Sequence, residues 1–328
     1  MSDRLNQPWL HQLNYDPIPS LLKSNNECIK LKTINTLFEE EASFESCWNL
    51  REVLKLVKKQ QPEGYWNHPQ NRKNTKMNNL NQYQTYRELG KLVEMYNLDR
   101  SHSAIQRAAE YFFSVQTVDG DFRGIYDKQY TPNYTAGIAE LLIKAGYKED
   151  LRVIAALEWL LNNRQNDGGW ALPFRTKNHN IGVTYNYHET IDPDYNRPSS
   201  YMITGVVLRA FAVHPLFKGR QEIKEAGELV SDFIFKRDVY PDRQDKKYWT
   251  RFVYPFCYTD LISVLDSLSL LGFSPVQPNI EKGLQWFIDG QLESGSWDLK
   301  ITAGQDKERL QLYLDLAICR VFKQFSLN

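Results

Sequence analysis

The chain has no excess of charge of either sign: 40 Lys and Arg balance 40 Asp and Glu over 328 residues. A nucleic-acid-binding protein normally carries a basic excess, so that class of partner is not expected. Cysteine is scarce: Cys28, Cys47, Cys257 and Cys319 lie far apart, with no CxxC pair. A thioredoxin-like motif and a closely spaced zinc knuckle are thereby excluded. Cys319 falls in an apolar helical run and Cys257 beside aromatics, and the expectation for the cysteines is buried, reduced thiols. No stretch reaches the ~18 uncharged apolar residues of a membrane span. The best candidate, 261–273, is short and carries Asp266. The N-terminus is polar, with Asp3, Arg4 and His11 and no apolar signal segment, so the expected location is cytoplasmic. Strand signals are almost absent, and no cofactor is expected.

Aromatic residues are plentiful. The chain holds 19 Tyr, 16 Phe and 8 Trp, 13% of its length, which is more ring surface than a core needs and points to a ring-lined cavity. A second abundance is internal repetition. A glutamine, a short polar stretch, a glycine and an aromatic recur as Gln61–Gly64–Trp66, Gln116–Gly120–Phe122, Gln165–Gly168–Trp170 and Gln291–Gly295–Trp297. A worn copy stands in the 126-residue gap, where Lys236-Arg237-Asp238 ends a helical run and Trp249 follows.

Each repeat reads as two helices. One runs into the glutamine position (43–60, 102–116, 150–165, 221–236, 278–291) and one begins after the aromatic (81–96, 133–147, 198–215, 255–273, 307–325). The stretch 221–236 is rich in Glu and Lys, as a helix with a wet face should be, whereas 198–215 carries only Arg209, and 255–273 only Asp260 and Asp266. Alternating wetter and drier helices predict an outer ring wrapped round an inner one. The fold class is therefore all-α, with a helical extension over 1–42 and a ring over 43–328 broken by a long loop at 171–197. The glycine follows a helix end, where φ > 0 is easiest for Gly. The aromatic then folds back over the glutamine amide, which bonds backbone groups of a neighbouring helix terminus. These segments read as staples between hairpins, not as sites.

The Gln…Gly-x-Trp staples resemble the QW repeats of squalene–hopene and oxidosqualene cyclases, whose α/α-toroid is shared by the β subunits of protein prenyltransferases. The resemblance runs from about residue 43 to the C-terminus, and Arg164-Gln165-Asn166-Asp167-Gly168-Gly169-Trp170 is its best copy. It implies an α/α-toroid with a central cavity for an isoprenoid or a similar small molecule. It also implies a proton donor in the middle acid of an Asp-x-Asp-Asp segment. The nearest segment here is Asp192-Pro193-Asp194-Tyr195, with Asp194 in the donor's place and Tyr195 in that of the third acid. The prenyltransferase zinc pair Asp-x-Cys is not reproduced, because Pro255 stands two residues before Cys257. No metal is expected.

Loops after the staples should lead to the mouth of the cavity, and basic residues recur there: Arg123, Arg175, Arg251 and Lys300, joined by Arg197 before a dry helix. Converging guanidinium groups suit a diphosphate or a carboxylate, which Arg binds in bidentate fashion. Equally, each Arg can pair with a nearby acid such as Asp121, Asp127, Asp192 or Asp260 and tie loops together. Tyr126, Tyr130, Tyr134, Tyr201, Tyr254 and Tyr258 crowd the starts of the dry helices, where ring faces suit a cationic intermediate, a sugar or plain packing. The segment 171–197 is too long for a connector and reads as a lid. It offers His188, Asp192 and Asp194 for acid–base work. Asp260 suits a helix start or, opposite Arg251, a substrate contact.

Three functions stay open. The first is a terpenoid cyclase- or prenyltransferase-like enzyme, holding a ligand with an anionic head in an aromatic cavity. The second is a polysaccharide lyase or hydrolase on a helical toroid. The third is a non-catalytic toroid that binds a ligand or another protein.

Overall fold

The computed structural model describes residues 7–69, 79–126, 128–179, 189–241, 244–302 and 306–327. Twelve of its helices pair into hairpins among these residues. The first of each pair is α1 (Ile18–Lys23), α3 (Arg51–Lys58), α5 (Ser103–Val115), α7 (Leu151–Asn162), α9 (Gln221–Asp232) and α11 (Pro278–Asp289). The second is α2 (Glu27–Phe38), α4 (Leu80–Gly90), α6 (Pro132–Leu142), α8 (Tyr201–Ala212), α10 (Leu261–Leu270) and α12 (Lys307–Phe325). The first set forms the outer ring and the second the inner one. On α9 only one face is buried, led by Ile223, Ala226, Gly227 and Val230 at helical spacing. On α8 every residue is buried, because its neighbours α6 and α10 close both flanks and the outer helix covers its back. The sole sheet among the described residues is a two-residue parallel pair, Arg251–Phe252 with Lys300–Ile301.

The staples do what their residue types allow, in a corrected frame. The amide that reaches across is Gln60, not Gln61: it donates to the Gly64 carbonyl at 2.9 Å and to the Ala104 carbonyl of α5 at 2.9 Å. Gln116 does the same to Gly120 and to Arg152 of α7, at 2.7 and 2.8 Å. In the third copy the equivalent position is Arg164, whose Nε donates to the Gly168 carbonyl at 2.9 Å while Nη2 pairs with Glu225 of α9 at 3.0 Å. Gln165 instead ties the carbonyls of Asp194 and Arg197. The working spacing is thus donor, glycine four residues on, aromatic six residues on. Trp66, Trp170 and Trp297 each send the indole N–H back to the carbonyl ten residues upstream, Leu56, Leu160 and Phe287, at 2.7–2.8 Å. In the worn copy Trp249 reaches Lys236 at 2.9 Å. Gly64 shows why the glycine is needed: at φ +96° a Cβ would lie 2.0 Å from the Arg107 carbonyl oxygen.

The last staple closes the ring onto the N-terminal residues. Gln291 donates to the Tyr15 carbonyl at 2.9 Å and accepts from the Tyr15 N–H at 3.0 Å, so the segment leading into α1 takes the place that α5 and α7 hold elsewhere. Next to it α2 packs on α12, with Lys323 on the Thr36 carbonyl and on Glu39. The expected extension is therefore a sixth, staple-free hairpin seated between the fifth and the first.

Two further expectations are corrected. Cys28 and Cys47 form a disulfide that ties α2 to the short helix Glu45–Trp48, and Cys257 is exposed; only Cys319 is the buried thiol foreseen. The helix expected from 255 starts at Leu261, because Asp260 and Ser263 form a reciprocal capping box there. No helix among the described residues is long and apolar enough to cross a membrane.

Candidate functional site

The starts of α6, α8 and α10 meet at the staple end of the ring and leave a cavity of about 300 Å³. Its floor and one wall come from α8, where Met202, Ile203 and Val206 share a face. Phe174 and Arg175 enter from the short helix Pro173–Thr176, and Tyr126 from the loop before α6. Asp238 and Tyr240 arrive from the loop after α9, Cys257 and Tyr258 from the segment before α10. A smaller space of about 170 Å³ shares Arg175 and Tyr240 with it and adds Asn178 and Arg197. Arg175 stands at the junction of the two.

Arg175 is 9% exposed, donates through Nη1 to the His179 carbonyl at 3.1 Å and lies 5.5 Å above the Phe174 ring. Burial pushes its guanidinium below the usual arginine range, and the Tyr126 phenol opposes that. Arg197 is exposed and reaches Asn178 Oδ1 at 3.4 Å. Among the described residues no carboxylate forms an ion pair with it. Asp238 carries the opposite charge, but its oxygens are committed. Oδ2 accepts from the Ser200 hydroxyl at 2.7 Å and the Met202 N–H at 3.1 Å, and Oδ1 from the Tyr240 N–H at 3.0 Å. Burial raises its pKa and these donors oppose the rise. Asp238 therefore acts as a distant cap on the first turn of α8.

Of the residues named from sequence, Arg175, Arg197, Tyr126 and Tyr258 are brought to these two spaces. The others are placed elsewhere. Arg123 is held by Asp121 at 2.8 Å and by the Lys128 carbonyl, over the Tyr130 ring at 4.6 Å, so this pair ties a loop. Arg251 lies 3.8 Å from Asp245 and over Tyr248, not opposite Asp260. Tyr134 packs edge-on to Tyr86, Tyr83 and Tyr126. Tyr201 stacks on Trp249 at 4.7 Å inside the core, and Tyr254 stacks on Tyr313 at 5.1 Å with its hydroxyl on the Glu94 carbonyl. Asp192 is exposed, and Asp194 closes a turn by accepting the Asn196 N–H at 3.1 Å. Neither lines the cavity. His188 lies outside the described residues. The described flanks of the expected lid pack down through Gln129, which donates to the Glu189 carbonyl and accepts from the Ile191 N–H, both at 2.9 Å.

Beneath the cavity the ring is filled by charges from α6, α8, α10 and α12 and from the π-helical turns 91–95 and 143–147 that continue α4 and α6. Arg209 Nε meets Glu140 at 2.9 Å; Lys144 bridges Glu140 at 2.7 Å and Glu94 at 2.5 Å; Arg320 grips Asp266 with both nitrogens at 2.7 and 2.8 Å. Burial alone would raise Glu94, and Lys144 overrides it, holding the carboxyl at about 2. Asp260, buried without such a cation in contact, rises to about 7 instead. The sequence signals missed were the solitary charges on dry helices and Asp238 standing beside the glutamine position of the worn staple. Among the described residues no His, Cys, Asp and Glu cluster is placed to hold a metal.

No protein-family model and no curated protein sequence matches this chain. Among solved structures, the type II terpene cyclase MstE from Scytonema, in its apo form, is similar at 13% identity over 87% of this chain and 99% of that one, with a TM-score of 0.35. The likeness is distant.

Proposed function

We propose that the cavity binds a small amphiphile: a compact apolar skeleton of isoprenoid type with an anionic head. The observation that carries this reading is Arg175, buried at the junction of an apolar space and a smaller one that Arg197 also lines. A guanidinium pair there receives a diphosphate or carboxylate, while Phe174, Met202, Ile203 and Val206 cover the tail. Size narrows the ligand. A cavity of about 150 Å³ takes one benzene, so about 300 Å³ takes roughly a dozen non-hydrogen atoms, a ten-carbon chain and not a thirty-carbon one. The reading assigns binding and no acid step, because Asp238 is engaged as a helix cap and neither Asp192 nor Asp194 lines the two spaces.

Calorimetric titration with geranyl diphosphate, geraniol, inorganic diphosphate and a uronate oligosaccharide tests it. Geranyl diphosphate should bind at least tenfold tighter than either of its halves, and Arg175→Gln should abolish that advantage. Binding of the uronate alone would move the function to carbohydrate chemistry. Silence toward all four would remove the cavity as the site.

A further inference from the structure

Asn133 is the odd residue of α6. The other residues of that helix, Pro132 and 134–142, are buried, and Asn133 alone is half-buried and lines the larger cavity. Asparagine is a poor helix residue because its amide competes with the backbone bonds. Here it caps nothing: its Oδ1 is buried and has no hydrogen-bond partner among the described residues. Other polar side chains of the same space are engaged. The Ser200 hydroxyl donates to Asp238 at 2.7 Å, the Tyr240 hydroxyl to the Pro198 carbonyl at 2.6 Å, and the Tyr258 hydroxyl to the Arg251 carbonyl at 2.8 Å. Arg175 and Tyr240 are shared with the smaller space that Arg197 lines, whereas Asn133 belongs to the larger space only. A buried amide oxygen left unmet lowers stability, so one held at a cavity wall calls for a partner that enters the cavity.

We infer that the ligand of this cavity carries a hydrogen-bond donor, a hydroxyl or an N–H, on its apolar skeleton, and that Asn133 Oδ1 accepts it. The inference rests on the amphiphile reading above and narrows its ligand class. A carbonyl or ether oxygen brings no hydrogen to Oδ1, and a plain hydrocarbon tail leaves it dry. The anionic head is read by Arg175 with Arg197 at the smaller space and the donor by Asn133 in the larger one, so the ligand is fixed at two points. A site that hydrogen-bonds a hydroxyl rejects the analogue lacking it far more strongly than an apolar pocket rejects a missing methylene. The protein group is then left buried and unpaired.

The first test needs no ligand. Asn133→Leu removes the unmet oxygen and supplies a better helix former of similar size, so the thermal midpoint of the whole chain should stay level or rise. A clear fall would make the amide a structural tie and overturn the inference. The second test compares, by calorimetry, geranyl diphosphate with congeners hydroxylated at successive carbons of its tail and with their methyl ethers. At least one hydroxylated congener should bind wild type about tenfold tighter than geranyl diphosphate, and its methyl ether should lose that gain. In Asn133→Leu the congener and geranyl diphosphate should bind alike. No gain for any congener would mean that water meets the amide. That result, or a gain that survives Asn133→Leu, overturns the inference and leaves the amphiphile reading intact. Bound ligands should also shield the exposed Cys257 thiol, which lines the same space, from iodoacetamide. Binding without shielding, or failure of every ligand to bind, overturns the two together.

Discussion

The two ends of the inner ring use the same helices to opposite effect. At the staple end the starts of α6, α8 and α10 stand round an open space lined by rings, aliphatic side chains and two arginines. At the far end Glu94, Lys144, Glu140 and Arg209 form a continuous chain of pairs, flanked by Asp266 and Arg320. Carboxyl groups record the difference: Glu94, against Lys144, is held at about 2, while Asp260 and Asp315, buried near the staple loops without a cation in contact, rise to about 7. An empty channel would not need such a floor. A closed floor under an open mouth makes a blind pocket, which sets the length of what it can hold.

The largest effect expected from breaking this contrast is at the floor. Glu140→Ala leaves Arg209 without its carboxylate and Lys144 with Glu94 alone, and loss of one partner of a buried pair costs about 3–5 kcal/mol. Urea unfolding of that variant should show it, whereas Arg209→Met/Glu140→Met should lie within about 1–2 kcal/mol of wild type. A cost under ~1 kcal/mol for Glu140→Ala would mean that the floor is wet and the pocket not blind.

Next in size is a pH effect from the staple end. Asp260 and Asp315 hold protons in the folded chain up to about pH 7, but release them near pH 4 when unfolded. Their contribution is fully present below pH ~4 and is lost as pH rises through 7. Thermal midpoints should therefore carry a component that falls between pH 4 and 7.5, and Asp260→Asn/Asp315→Asn should flatten it. Glu94 acts in the opposite sense, its contribution being lost progressively as pH falls from about 5 toward 2, so it touches only the acid edge of that window. A slope unchanged in the double variant would show these two acids to be ionised throughout.

The smallest change in stability belongs to the mouth. Arg197→Ala removes an exposed side chain with one long contact to Asn178, and should shift stability by no more than ~0.5 kcal/mol while weakening any diphosphate ligand several-fold. A large loss of stability with unchanged binding would make Arg197 a loop tie like Arg123.

Much of the fold was legible because its signals are local. The wet face of α9 and the dry run of α8 are patterns within a single helix, and the Trp66, Trp170 and Trp297 indoles bond carbonyls ten residues upstream. The frame of two staples was misread for a local reason too: Gln61 and Gln165 sit one residue past the working position, and Arg164 can do an amide's job because a guanidinium N–H reaches the same Gly168 carbonyl. The site was legible only in part. Arg175, Arg197, Tyr126 and Tyr258 were visible as cavity candidates, whereas Asp238 looked like a lost staple and Arg209 like an isolated charge on a dry helix.

By itself the sequence determined the helices, their inner and outer assignment and the stapled turns, since periodicity, caps and positive-φ glycines act over one or two turns of chain. Tertiary structure alone decided that residues 7–38 close the ring and that Arg209 meets Glu140, 69 positions away. It also decided which arginines face a cavity and which are spent on a neighbouring Asp. Those outcomes depend on how six hairpins wind round one axis, and a charge on a dry helix has no assigned partner until that closure brings one within hydrogen-bond reach.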